Sequence, residues 1–223
     1  MYSTEQVERW QRRSLSPEYQ TAYETIVAQI SKKGEICLEI ACGVGELFKR
    51  VCKTSIYNLY IASDSSLEML ERAQVNLAKE NVSAKIKNPN ELAEESKGIF
   101  LVLDDIMHSQ LPRNFSDVTL FTFPEVFTQQ GNNQRSLRHY FKEKIREKRY
   151  FIDNNEKLIY KLILMHNIAG LTRTDGKIIT AEYDLAGISS TEENSVIESR
   201  ISFADLIGLN LENSLYVESP EVW

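Results

Sequence analysis

The segment EICLEIACGVGELFKRV, residues 35–51, runs from a continuous apolar stretch into two glycines and then into a helix-like pattern. A short apolar run bounded by turn residues reads as a strand buried on both faces. Beyond the turn, Leu47, Phe48 and Val51 recur at helical spacing. The unit is therefore strand, tight turn, helix. Gly43 and Gly45 mark the point where the backbone needs unusual torsion angles or a close approach to something else.

The same grammar repeats on either side. Residues 17–30, PEYQTAYETIVAQI, place Tyr19, Ala22, Tyr23, Ile26 and Ile30 on one helical stripe, with Pro17 suited to a first helical position. NLYIASD, 58–64, is a second strand ending on an acid. The following SSLEMLERAQVNLAKEN opens with Ser65 and Glu68 as a capping box and buries Leu67, Leu70 and Leu77. A polar stretch then reads as an insertion with one short helix, ahead of a third strand GIFLVLDD at 98–105. DVTLFTF at 117–123 is a fourth, residues 135–172 are helical, and GKIITAEYD at 176–184 is a fifth, opened by Asp175 and Gly176. SFADLIGLNLENSLYVES closes the pattern as a short helix and a sixth strand. Alternating strands and helices predict an α/β fold, a doubly wound, mostly parallel Rossmann-like sheet with helices on both faces. Its ligand site belongs at the carboxyl ends of the strands.

The chain of 223 residues, 42% of them hydrophobic, suits one domain with elaborations. The charged start MYSTEQVERWQRR lacks the apolar run of a signal peptide, and no stretch approaches the ~18 apolar residues of a membrane span. A cytoplasmic protein with no membrane contact is expected. Cys37, Cys42 and Cys52 are odd in number and share no metal-ligand spacing, so neither a disulfide framework nor a metal is expected. A net charge of −6 argues against nucleic acid as a partner.

Two ligand patterns compete at the turn. A dinucleotide wants G-x-G-x-x-G, but Phe48 stands where the third glycine belongs. The alternative is an acid followed by small residues at alternate positions, here Glu39, Ala41, Gly43 and Gly45. Ala41 stands where glycine is commoner, and alanine is acceptable if its φ stays negative. With LEIACGVGE as its first motif, the chain resembles the class I S-adenosylmethionine-dependent methyltransferases. SDSSLEMLERA, LVLDDIMHSQLP, FSDVTLFTF and LTRTDGKIITAEYD are similar to further family motifs, in order and at plausible intervals.

The resemblance implies S-adenosyl-L-methionine as cofactor, held by Glu39, Ala41, Gly43, Gly45, Asp64 and Ser65. Asp64, 19 positions beyond Gly45, takes the place of the acid that accepts from both ribose hydroxyls. Asp104 or Asp105 meets the adenine amino group; the two point opposite ways if the strand still runs there, which leaves the assignment open, and Asp105, followed by Ile106, is favoured. TFPEVF lacks the Asn/Asp-Pro-Pro-aromatic tetrad of enzymes that methylate base or glutamine amino groups.

The expected activity is methylation of a small-molecule acceptor, and the oligomeric state is left open. The alternatives are an aminopropyl transferase on the same fold, or a non-catalytic methyltransferase-like scaffold subunit. His139, Glu125 and Glu182 are the candidate bases, by location near the methyl-transfer site; His108 and His166 read as surface or satisfied core histidines. Residues 1–30 form a helical lid in this reading, with Tyr2, Trp10, Tyr19 and Tyr23 as closing aromatics, and 31–223 form the core. Residues 131–154 are an insertion that caps the substrate. RSLRHYFKEKIREKR within it carries seven Lys or Arg against two Glu, while Leu137, Phe141 and Ile145 form an apolar stripe.

Overall fold

The computed structural model describes residues 2–30, 34–122 and 155–181. The chain opens with α1, Thr4–Ser14, which starts at a capping box: Ser3 Oγ accepts from the Gln6 N–H and the Gln6 side chain accepts from the Ser3 N–H. α2, Pro17–Gln29, begins on its proline and buries Tyr19, Tyr23 and Ile26. β1 (Gly34–Ile40), α3 (Glu46–Lys53), β2 (Tyr57–Asp64) and α4 (Leu67–Lys79) follow. Next come a short β3 (Lys85–Lys87), a 3-10 turn at Pro89–Leu92, β4 (Gly98–Leu103) and a second 3-10 turn at Ile106–His108. β5 (Ser116–Thr122), α5 (Asn155–Leu171) and β6 (Thr172–Ala181) complete the described elements.

The strands form one six-stranded sheet in the order β3-β4-β2-β1-β5-β6, and every pairing is parallel. From β1 the chain moves to β2 on one side and later returns to β5 on the other. The switch point lies between β1 and β5, where a doubly wound sheet opens a crevice beyond its carboxyl ends. Successive side chains of each strand serve opposite faces. Cys37, Tyr60, Ala62, Leu101 and Leu120 pack with Tyr23, Phe48, Leu70 and Leu77 from α2, α3 and α4. Leu38, Ile40, Leu59, Ile61 and Val102 pack on the other face with Leu164, Ile168 and Leu171 of α5. The expected doubly wound α/β sheet with helices on both faces is what the structure shows.

Several local readings change. β3 is an edge strand in a stretch read only as an insertion with a short helix; the three residues Lys85, Ile86 and Lys87 carry too little pattern to announce it. The cap of α4 is Ser66, whose Oγ accepts from the Met69 N–H, rather than Ser65. The shift follows from Asp64, whose carboxylate takes the Ser66 N–H and holds the chain extended one residue longer. Leu67 is consequently 43% exposed, and Met69 and Ala73 fill the face with Leu70 and Leu77. Asp175 and Gly176 lie inside β6, in an irregularity where Ser116 pairs with Thr172 and Val118 with Lys177. A Cβ at Gly176 would stand 2.9 Å from the Asp117 carbonyl oxygen, so only glycine fits there. The sixth strand expected near the end of the sequence and the segment 131–154 lie outside the described residues. Among those described, no helix is long and apolar enough to cross a membrane and no cluster could hold a metal.

Candidate functional site at the glycine turn

Between β1 and α3 the backbone enters the left-handed region three times, at Ala41 (φ 56°), Gly43 (54°) and Gly45 (75°). The two glycines do different jobs. A Cβ at Gly45 would lie 2.8 Å from the Ala73 Cβ, so this glycine lets α4 pack against the start of α3. A Cβ at Gly43 would meet nothing within 4 Å: the turn there faces open space. Ala41 corrects the expectation of a negative φ. The turn imposes the left-handed conformation on a residue with a Cβ, at a cost of about 1–2 kcal/mol. Phe48, at the place of the absent third glycine, is wholly buried in the core. A side chain of that size does not allow the close helix–strand packing for which a dinucleotide turn keeps its third glycine.

Two buried carboxylates meet this turn. Asp64, 8% exposed at the end of β2, accepts from the Gly43 N–H through Oδ2 and from the Ser66 N–H through Oδ1, both at 2.9 Å. Burial pushes its carboxyl up to about 6, against the lowering effect of these backbone donors. Glu39, 2% exposed near the end of β1, has no hydrogen-bond partner for Oε2. Burial and then the nearby Asp64 raise its carboxyl well above the usual range. An unpartnered polar atom in such a place costs about 1–3 kcal/mol.

Both acids line a cavity of about 90 Å³ together with Gly43, Glu46 and the β5 terminus Thr122. Its outer wall is Tyr2, Trp10 and Ser14 from the first segment and Tyr19 and Tyr23 from α2. No Lys or Arg stands among the described residues that line it. Tyr23 is held in its neutral phenol form, by burial first and then by Glu39 and Glu46. The Arg13 guanidinium stacks outside, 5.2 Å from the Trp10 ring and 5.7 Å from that of Tyr19.

α1 is tied to the turn by polar contacts that nothing in the sequence announced. The Asn76 amide of α4 donates to the Val44 carbonyl at 2.9 Å and to Gln11 Oε1 at 2.6 Å, and Gln11 Nε2 donates to Glu46 Oε1 at 3.1 Å.

No family model matches the chain, and no curated protein matches it. Its similarity is to solved structures. A protein from Methanococcus maripaludis, named as a proposed S-adenosyl-L-methionine-dependent methyltransferase, has a TM-score of 0.51 at 18% identity, covering 90% of this chain and 74% of its own. A proposed methyltransferase from Bacillus halodurans gives 0.55 at 10% identity, over 86% and 71%. Phosphoethanolamine N-methyltransferase 2 of Haemonchus contortus, in complex with S-adenosyl-L-methionine, gives 0.52 at 14% identity, over 87% of this chain but 38% of that enzyme. The chain has the class I methyltransferase fold.

Within the methyltransferase fold the remaining sequence-derived residues separate. Asp104 is 8% exposed, and its oxygens accept from the Ser109 hydroxyl at 2.6 Å and the Gln110 N–H at 3.0 Å. Asp105 is half exposed. Its Oδ1 accepts from the Met107 N–H at 3.0 Å, and its Oδ2 stands 3.3 Å from His108 Nδ1. Ser65, next to Asp64, is exposed. Glu39, Ala41, Gly43, Gly45 and Asp64 are thus gathered at one turn, with Asp104, Asp105 and Ile106 following the adjacent β4. Glu125, His139 and Glu182 lie outside the described residues.

Proposed function

We propose that this methyltransferase-fold protein uses S-adenosyl-L-methionine to methylate a small-molecule acceptor. The observation that carries the reading is the combination of open space at Gly43 with the orphaned, buried Glu39 oxygen beside it. A pyrophosphate would meet no Lys or Arg among the described residues that line this cavity. Its charged neighbours would be the carboxyls of Glu39 and Asp64 and that of Glu46, which is paired with Lys49 at 2.6 Å, whereas a cofactor bearing an ammonium and a sulfonium favours the ionised carboxylates and completes the site. The residues present therefore fit the group.

When bound, S-adenosyl-L-methionine supplies a methyl made electrophilic by its sulfonium. The chain's part is to hold and to shield. Glu39 accepts from the ammonium, and the open backbone at Gly43 admits the ligand to the turn. Asp64 has lone pairs left after its two N–H contacts and accepts from the ribose hydroxyls. Asp105 and the Ile106 N–H serve the adenine edge, Asp105 being the more exposed of the two acids. Tyr2, Trp10, Tyr19 and Tyr23 exclude water from the methyl.

The cavity of about 90 Å³ is smaller than the ~300–1,000 Å³ typical of ligand pockets. Of residues 1–30, α1 accordingly lifts to admit the cofactor while α2 stays seated in the core, and the Gln11 contacts together with Val7 against Val44 and Met69 form the latch. A site closed in this way selects a small acceptor over a macromolecule, with residues 131–154 as its cap. Alignment of the nucleophile supplies most of the rate, and Glu125, His139 or Glu182 removes the proton where the acceptor carries one.

The test is transfer of label from methyl-tritiated cofactor into a panel of small amines, acids and phenols. Incorporation into one of them, lost when His139, Glu125 or Glu182 is replaced, supports the reading. A chain that binds the cofactor and labels none of them supports the scaffold alternative.

A further inference from the structure

Asn167, on α5, has no part in the cofactor reading above, yet it reaches the loop that reading assigns to adenine. Its side-chain amide donates to the Ile106 carbonyl at 3.0 Å and to the Met107 carbonyl at 3.5 Å. Both partners are acceptors, which fixes the amide orientation with Nδ2 toward the loop. Asp105 holds the same loop from within: its side chain takes the Met107 N–H, and its carbonyl takes the His108 N–H at 2.8 Å. Behind Asn167, α5 is firmly seated. Leu164, Ile168 and Leu171 are at most 4% exposed, and the Asn114 and Phe115 N–H groups donate to the carbonyls of Gly170 and Leu171 at 2.9 and 2.8 Å.

Packing of Ile106 and Met107 on the core holds the loop in place, but apolar contact does not fix the rotation of a peptide plane. Asn167 bonds the carbonyls of two peptide planes, Ile106–Met107 and Met107–His108, whose N–H groups in turn donate to the Asp105 carboxylate and to the Asp105 carbonyl. We propose that Asn167 is a positioning residue that sets selectivity for the purine base: by fixing those two planes it holds the Asp105 carboxylate and, through the Asp105 carbonyl, the peptide that carries the Ile106 N–H, so that the two address one edge together. An acceptor beside a donor matches the amino group and ring nitrogen of adenine; hypoxanthine presents the opposite pair, a carbonyl beside an N–H. A site built around such hydrogen bonds rejects the mismatched partner because its own polar groups go unpaired. The inference rests on the cofactor reading and deepens it.

Calorimetric titration with S-adenosylhomocysteine and S-inosylhomocysteine tests it. The wild-type protein is expected to prefer the adenosyl ligand by about tenfold or more. Asn167→Ala should weaken the adenosyl ligand about five- to tenfold while leaving the inosyl ligand within about twofold, so that the ratio collapses. Asn167→Ser keeps a donor on a shorter arm and should give an intermediate ratio; it is read by the same criterion where the alanine variant does not melt cooperatively. A parallel loss for both ligands, or an unchanged ratio, makes Asn167 a structural brace and overturns the proposal. A wild-type protein that binds both equally also overturns it. Binding of neither ligand by the wild type refutes the cofactor reading itself, and is recognised before any substitution is made.

Discussion

Asp64 couples the glycine turn to pH in a direction that its surroundings dictate. Its carboxyl titrates at about 6 in the folded protein against 3.8 for the free group, chiefly because burial disfavours the charge. Between those values the native state holds more protons than the unfolded chain, so stability falls as pH rises. At ~1.4 kcal/mol per pH unit the contribution is about 3 kcal/mol, fully present below pH 3.8 and lost once pH passes about 6. Asp64→Asn removes the titration. It also turns an amide N–H toward the Gly43 or Ser66 donor, so the variant should be less stable overall but flatter in pH. Urea midpoints of both proteins from about pH 4 to 8 give the difference, in which carboxyls remote from Asp64 cancel and Glu39, raised by burial and then by Asp64, titrates lower in the variant. Hydroxyl donors on a bound ribose favour the ionised form, so affinity for S-adenosylhomocysteine should rise over about pH 5 to 7 in the wild type alone. Parallel pH profiles for the two proteins would refute the reasoning.

The two glycines should part company under substitution. Gly45→Ala combines left-handed strain with overlap on Ala73 and should cost about 3 kcal/mol in chemical denaturation; a loss under about 1 kcal/mol contradicts the packing account. Gly43→Ala carries the strain of about 1–2 kcal/mol without overlap, but its methyl enters the ligand space and should lower S-adenosylhomocysteine affinity by at least about tenfold. Ala41→Gly releases strain against a smaller gain in unfolded-chain entropy and should stabilise by about 0.5–1 kcal/mol, read as a higher melting temperature. Glu39→Gln removes a costly buried acid, so it should raise the melting temperature while weakening S-adenosylhomocysteine about tenfold. Loss of both would make Glu39 a structural residue.

The sheet was legible because its inner strands are long and apolar on both faces, so EICLEIAC, NLYIASD and GIFLVLDD announce themselves by run length alone. β3 was not, since a Lys-Ile-Lys strand at a sheet edge needs only one neighbour and one apolar residue. Glu39, Gly43, Gly45 and Asp64 were legible as a site because a strand-end acid and glycines at alternate positions have few other uses. What sequence spacing did not convey is that the Asp64 side chain also braces the turn, displacing the α4 cap from Ser65 to Ser66. Nor did it convey that Ala41 adopts a positive φ, because that torsion is imposed by the neighbouring glycines. Gln11, Asn76 and Asn167 were invisible for a further reason: each bonds a partner at least 32 residues away, and a lone amide on a helix carries no periodic signal. Strand alternation left the choice between Asp104 and Asp105 open, and it does not reach them, because β4 ends at Leu103; one carboxylate is buried against Ser109 and the other is exposed.

The central claim is that the cavity beside Gly43 is built for an adenosyl cofactor bearing an ammonium and against a pyrophosphate. Calorimetric titration of the wild-type protein with S-adenosylhomocysteine and with NAD measures this most directly. Saturable binding of S-adenosylhomocysteine with no heat from NAD is the predicted result, because Glu39, Glu46 and Asp64 line the cavity and Phe48 fills the place of the third glycine. Binding of NAD without S-adenosylhomocysteine would contradict the account.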